Sequence, residues 1–495
     1  MGRLSLVGIG ASLALALLAC TTGRLATPAG ETKLGTDAAA QVEREIGLVH
    51  APVEEYLAQI GKRLVERSSG LRTGISYRFA IVDMVEPNAF ALPGGFVYVS
   101  RGMLALLNSE DELASVVAHE IGHVSARHHL RHALLETPLI PVRLATGIGS
   151  LATGIVSPTL GRVVGALGSA PGSLFLASYS RGQEEEADAI GQQLVASAGW
   201  DPRAIGAVMD ALSREERLAG GDPDRISFFD THPTTPSRSR RALERAAALP
   251  VAQLAPIAPD LRHFYEKLDG LLYGDSAAEG VIVDNEFLHP DLDVHIAFPD
   301  GWKIGNGSDG VVSVPEAGDA LAIFMIAAKG DDPVAVANEV VDKSSLRVDG
   351  SVEATRIGGR PAARAFARSR AGWFTRYRHH IVWVNQGGLV YQLSGTALER
   401  DWPRYAGAIK NLVGSFRPLE ADDRKRVREA HLRVVDARAG EHLADLLKRT
   451  DSAWSPERAA AANGFTSEEV ELSNGRPLKI AHWERYAGKP EPSAQ

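Results

Sequence analysis

The chain has 495 residues, 45% of them hydrophobic and 23% charged, with a formal net charge of −8. That length allows about three or four domains with a buried core each, and a mildly acidic balance without a basic block argues against a nucleic-acid partner. A single cysteine excludes any intramolecular disulfide.

Residues 1–20 read as a signal peptide, with Arg3, an apolar run from Leu4 to Ala19, and LLAC at 17–20. The last four residues resemble the lipobox of bacterial lipoproteins, so cleavage before Cys20 would leave a diacylated N-terminus. A plain signal peptide or an uncleaved anchor is the alternative, but the run is short for a spanning helix. Thr21 after the cysteine, in place of Asp, resembles an outer-membrane address. Residues 21–35 are small and polar, a tether.

From 36 to 75, Val42, Ile46, Val53, Tyr56, Leu57, Ile60 and Leu64 recur at helical steps. YRFAIVDM (77–84) alternates as a strand, and GGFVYVS (94–100) is a second, opened by two glycines. If the latter is an edge strand, the backbone of Gly95, Phe96, Val97 and Tyr98 can pair with an extended substrate; a purely structural strand is the equal alternative.

A helix then begins at Ser109, with Glu112 three residues on as a capping box, and Leu113, Val116, Val117, Ile121 and Val124 as its apolar stripe. Within it, HEIGH sets His119 and His123 four apart, both imidazoles on one face and able to close on one metal ion, with Glu120 beside them. A solvated face carrying two histidines is the bland alternative. Catalytic zinc sites usually take three protein ligands. His129 would need a helix-breaking glycine where Ala126 stands. Pro138 to Leu176 is apolar and rich in glycine, broken by Pro158 and Pro171, and suits a mobile hairpin or lid better than a membrane span.

SRGQEEEADAIG (180–191) starts another helix, with Ser180 and Gln183 as a capping box. Glu184 and Asp188 share a face: Glu184 can complete a His, His, Glu set, Asp188 can accept a ligand's free ring N–H, and Gly191 removes bulk for a close helix contact. In isolation an ordinary acidic helix start is the commoner explanation. From Trp200 to Ala247 the pattern is helical again, with His232 held before Thr235-Pro236, a cap and first helical residue.

Together HEIGH, the Glu184-to-Asp188 E-x-x-A-D, NAFALPGGFVYVSRGML (88–104) and THPTTPSRSRR (231–241) resemble, in order, the zinc metallopeptidase family of the CAAX prenyl proteases and the bacterial HtpX-type and periplasmic quality-control proteases. The resemblance covers roughly residues 35 to 250. It implies one Zn²⁺ per chain held by His119, His123 and Glu184, with Glu120 as general base. It also places His232 near the metal, either stabilising the oxyanion or acting as a removable fourth ligand that holds the enzyme latent.

Gly, Asp and Ser gather at 269–286, which reads as a boundary. Residues 287–418 alternate strands with one or two helices and resemble PsbP-like α+β domains at their end, with no catalytic constellation, which favours a binding or scaffold role. Residues 432–481 resemble a degenerate lysin motif, a β-α-α-β module that binds glycans such as peptidoglycan. Gly440, Asn463, Gly475 and Ile480 match, and Glu441-His442 replaces the usual Asp-Thr. A packing module without glycan is the alternative.

The expected chain is thus a signal peptide (1–20), a tether (21–35), a mainly helical zincin-type peptidase domain with a small β-sheet (36–268), an α+β domain (287–418) and a β-α-α-β module (432–481). The expected function is a zinc endopeptidase, lipid-anchored on the periplasmic side of the bacterial outer membrane, degrading unfolded or misassembled envelope proteins. The competing expectation is a lipid-anchored binding protein or assembly chaperone with a latent metal site.

Overall fold

The computed structural model describes residues 27–68, 71, 74–129, 139–141, 175–177, 179–218, 220, 228–233, 236–307, 310–371 and 375–488. Cys20 and most of the 138–176 segment lie outside these; of the latter, two short strands pair antiparallel, β4 (Leu139–Pro141) with β5 (Phe175–Ala177). Among the described residues no helix is long and apolar enough to cross a membrane.

The first part of the chain packs helices around a three-stranded sheet. Helices α1 (Pro28–Glu45) and α2 (Pro52–Glu66) both begin with proline, whose fixed φ suits a first turn. They precede β1 (Arg78–Val82), β2 (Ala89–Leu92) and β3 (Phe96–Ser100). The strand order is β1-β3-β2, with β3 parallel to β1 and antiparallel to β2. A short helix α3 (Arg101–Leu106) leads to α4 (Glu110–Ser125), whose Ser109 hydroxyl accepts the Glu112 N–H. The return half of the expected capping box is absent: the Glu112 carboxylate accepts from Asn108 N at 2.7 Å instead.

Helix α5 (Arg181–Ser197) does carry the full box, Ser180 with Gln183. It lies against α4 at two glycines. A Cβ on Gly191 would come 3.0 Å from His119 N, and one on Gly122 would come 2.7 Å from Ala187 O, so neither position admits a side chain without moving backbone. Glu110, chosen by the helix dipole at α4's start, is also a buried tie: it accepts from Tyr56 Oη at 2.7 Å, Trp200 Nε1 at 2.6 Å and Ile257 N at 2.7 Å. Helices α6 (Ala204–Leu218), α7 (Phe228–Thr231), α8 (Pro236–Ala247) and α9 (Leu261–Leu268) complete this part.

The segment read as a boundary carries structure of its own. β6 (Leu272–Tyr273) pairs with β18 (Arg428–Asp436) of the C-terminal module. Strands β7 (Val281–Val283), β8 (Glu286–His289) and β9 (Val294–Ala297) form a small antiparallel sheet. Then comes an eight-stranded antiparallel sheet of β10 (Trp302–Gly307), β11 (Gly310–Pro315), β12 (Ala320–Lys329), β13 (Arg347–Val348), β14 (Glu353–Ile357), β15 (Arg360–Ala371), β16 (Thr375–Gln386) and β17 (Leu389–Leu398). Alternation along β16 sends Val382 and Val384 to one face, under α11 (Trp402–Gly414), and Ile381 and Trp383 to the other, under α10 (Pro333–Asp342). This stretch thus combines an antiparallel sheet with a helix on each face.

After α12 (Ala421–Arg426), the C-terminal module runs β18, α13 (Leu443–Arg449), α14 (Pro456–Ala462), β19 (Pro477–Arg485), the expected β-α-α-β order. It is not a free appendage. Leu432, Leu446, Trp454 and Ile480 belong to the same hydrophobic core as Leu104, Leu113 and Phe264. Asn463 clasps β19, accepting Lys479 N at 2.8 Å and donating to Lys479 O at 2.9 Å. The Lys479 side chain is buried inside the first part, where Nζ donates to Ala105 O at 2.9 Å and to Leu107 O, the carbonyls that end α3. Burial pushes its ammonium down to about 7, with Glu112 opposing. An unfolded lysine binds its proton up to about 10.4, so the unfolded chain holds more protons between these values and stability gains with rising pH there. The unfolding free energy of the wild type should therefore rise relative to that of Lys479→Met between pH 7 and 9, by at most about 1.4 kcal/mol per pH unit. Parallel pH curves for the two proteins would show that this burial carries no such penalty.

Candidate metal centre

Helices α4 and α5 and the turn after α7 deliver four buried side chains to one point: His119, His123, Glu184 and His232. Their facing atoms lie close together. His119 Nε2 is 3.0 Å from His123 Nε2 and 3.3 Å from His232 Nδ1, while Glu184 Oε1 is 3.2 Å from His123 Nε2 and 3.1 Å from His232 Nδ1. Four donors at ~2.0–2.1 Å around a tetrahedral zinc would be spaced by roughly 3.3–3.4 Å, so the donor set fits zinc in both chemistry and span.

The backs of the ligands are also held. Asp188 Oδ1 lies 3.1 Å from His119 Nδ1, as its place one turn after Glu184 suggested. Arg238 of α8 closes the set from outside: Nε and Nη2 fork onto Asp188 at 2.7 and 2.8 Å, and Nη1 meets Glu184 Oε2 at 2.5 Å. Tyr179 stacks on the His123 ring, centroids 3.8 Å apart, and its N–H donates to Thr231 O at 3.0 Å, next to His232.

Charge follows this wiring. Burial alone would raise Glu184, but His232, His123 and His119 hold it well below the usual carboxylate range. Asp188 is likewise opposed by burial yet carried down to about 2 by Arg238 and His119. Burial lowers His123 well below the ordinary imidazole value, which keeps it a neutral donor. For His119 burial is outweighed by Asp188 and Glu184, and the net shift is upward.

Glu120 is fully buried beside the cluster, with Oε1 3.5 Å from His232 Nε2. Burial raises its pKa above the ordinary carboxylate value, against the pull of His232 and His119. The Ala91 N–H of β2 acts on the same carboxylate.

One expectation is corrected here. β3 is the middle strand, with β1 and β2 on its two sides, so the backbone of Phe96, Val97 and Tyr98 has no edge to offer, and Gly95 O already accepts the Arg78 N–H at 2.8 Å. The outer strand on the metal side is β2, which packs against α4. His129 stays out of the cluster; its Nδ1 bonds the Tyr179 hydroxyl at 2.7 Å.

Residues 52–246 match the model described as Peptidase family M48. Over this stretch the chain is similar to peptidase family M48. Similar relatives of the M48 region include the "Beta-barrel assembly-enhancing protease" of Yersinia pestis, 32% identical over 217 residues, 44% of each chain. The "Putative beta-barrel assembly-enhancing protease" of Vibrio cholerae serotype O1 is 36% identical over 210 residues, 42% of each chain. The "Mitochondrial metalloendopeptidase OMA1" of Schizosaccharomyces pombe is 30% identical over 237 residues, 47% of this chain and 65% of that protein. The chain thus spans less than half the length of the first two relatives.

Arg238, Tyr179 and His128, all joined to the M48 cluster, were not singled out from the sequence. A run of arginines at 238–241 with one serine gives no sign of which is buried. The helical phase of α8 relative to α5 decides it.

Proposed function

We propose that this protein is a zinc endopeptidase of the bacterial envelope, anchored through a lipid on Cys20 at the periplasmic side of the outer membrane, and that its substrates are unfolded or misassembled envelope proteins. The observation that carries the reading is Glu120, buried and raised, beside a His119, His123, Glu184 donor set of zinc dimensions. Zinc, when bound by those three residues, supplies a Lewis acid for the scissile carbonyl and for water. Glu120 takes the proton from the attacking water and passes it to the leaving amine as the C–N bond breaks. Asp188 and Arg238 hold His119 and Glu184 so that the donor set needs little rearrangement. Among the described residues β2 is an outer strand packed against α4, and its outer edge is where an extended substrate chain would pair, a mode with little side-chain selectivity that suits unfolded proteins.

His232 supports a latent ground state. Its Nδ1 occupies the fourth corner of the donor set and its Nε2 faces Glu120, so the same ring stands where substrate and water must enter. Removing a competing group restores the fraction of enzyme that is competent. His232→Ala should therefore raise cleavage of casein severalfold with zinc retained; a fall would assign His232 to oxyanion stabilisation instead.

The α+β domain, which we read as PsbP-like, serves as scaffold or binding surface, and the lysin-motif-like module as a peptidoglycan contact. Because that module shares a core with the peptidase part, its glycan binding is best measured on the full chain by sedimentation with peptidoglycan. The enzymatic reading is tested by incubating the full chain with casein. Cleavage should stop with a zinc chelator and return on adding zinc. Chaperone activity that persists through chelation, without cleavage, would favour a binding protein.

A further inference from the structure

A ligand histidine offers one ring nitrogen to the ion, and its other N–H must be paired from behind. For His119 that partner is Asp188, from the next helix. For His123 it is His128, five residues further along the same chain: the two Nδ1 atoms are 2.9 Å apart, the His128 ring is buried, and its Nε2 lies 3.2 Å from Glu186 Oε2.

A continuing helix would turn His128 about 140° away from His123. The chain avoids this at Arg127, which ends α4 with φ of 59°, in the left-handed region that normally calls for glycine. Such a conformation is strained for a non-glycine residue. The Arg127 guanidinium sits 3.4 Å from the buried Glu31 carboxylate of α1. The backbone is therefore bent at a cost, and the bend delivers one side chain to the back of a metal ligand.

We propose that His128, backed by Glu186, is a positioning residue for His123. His123 Nδ1–H donates to His128 Nδ1, and His128 Nε2–H donates to Glu186. This chain of donors fixes the tautomer in which His123 Nε2 carries a lone pair toward the donor cluster; the opposite tautomer would aim a proton at His119 Nε2, 3.0 Å away. The proposal rests on the zinc reading of the site.

The test is zinc affinity of the full chain, by competition with a chromophoric chelator, in five proteins. His119→Ala should lose zinc. His128→Leu should bind it about 10–100-fold more weakly than wild type, and His128→Asn, whose side-chain carbonyl can accept the His123 N–H, should recover most of the loss. Glu186→Ala, with its side chain half exposed, leaves the core intact and should weaken zinc severalfold, which keeps the test decisive if the leucine variant misfolds. Wild-type affinity in His128→Leu or Glu186→Ala, with His119→Ala empty, overturns the positioning role and leaves the site standing. Equal losses in the leucine and asparagine variants reduce His128 to packing and overturn it too. Zinc retained in His119→Ala would bring down the site itself and this inference with it.

Discussion

Glu120→Gln should cut casein cleavage by about 10²–10⁴-fold, the usual contribution of a positioned acid-base group, while zinc content and unfolding midpoint stay near wild type. The substitution is isosteric and removes one negative charge from a site where burial already disfavours it, so the fold has little to lose. The amide cannot take a proton from water, and that is the step at stake. Parallel measurement of zinc by atomic spectroscopy and of casein fragments separates the outcomes. Loss of both would mean that Glu120 holds the cluster together. Retention of both would place the base elsewhere.

The second large effect is on stability. Arg238→Leu deletes the guanidinium that forks onto Asp188 and reaches Glu184, and takes the arginine partner from two buried carboxylates, one behind His119 and one in the donor set. Removing one partner of a buried ion pair typically costs about 3–5 kcal/mol, because the remaining charge is stranded. The metal-free protein should lose that much in denaturant titration. Arg238→Lys should fall between, since an ammonium keeps the charge but cannot grip Asp188 with two parallel N–H groups. Arg238 Nη1 also donates to Pro233 O at 3.1 Å, so the His232 turn should loosen in the same variant. Equal stability of Arg238→Leu and wild type would mean that water or rearrangement replaces the guanidinium.

The parts of this site that repeat at helical spacing could be read from the chain. His119, Glu120 and His123 share one helix, Glu184 and Asp188 the next, and Gly191 marks where the two meet, because 3.6 residues per turn fixes which side chains share a face. What escaped was set by long-range order. GGFVYVS reads as a strand, but nothing local says that β1 and β2 would close on both its sides. His128 looks like one more base in a polar tail until Arg127 takes a left-handed turn. Lys479 has the pattern of a surface residue on a small module; it is buried where it reaches the Ala105 and Leu107 carbonyls at the end of α3. The β-α-α-β order was legible, and its fusion with the peptidase core was not.

The central claim is that His119, His123 and Glu184 hold one catalytic zinc. The most direct measurement is the zinc content of the purified full chain beside His123→Ala and Glu184→Gln, with casein cleavage read on the same samples. The account predicts close to one zinc per chain in the wild type, little in either variant, and no cleavage where zinc is missing. Wild-type protein that contains no zinc and takes up none when it is supplied would contradict it.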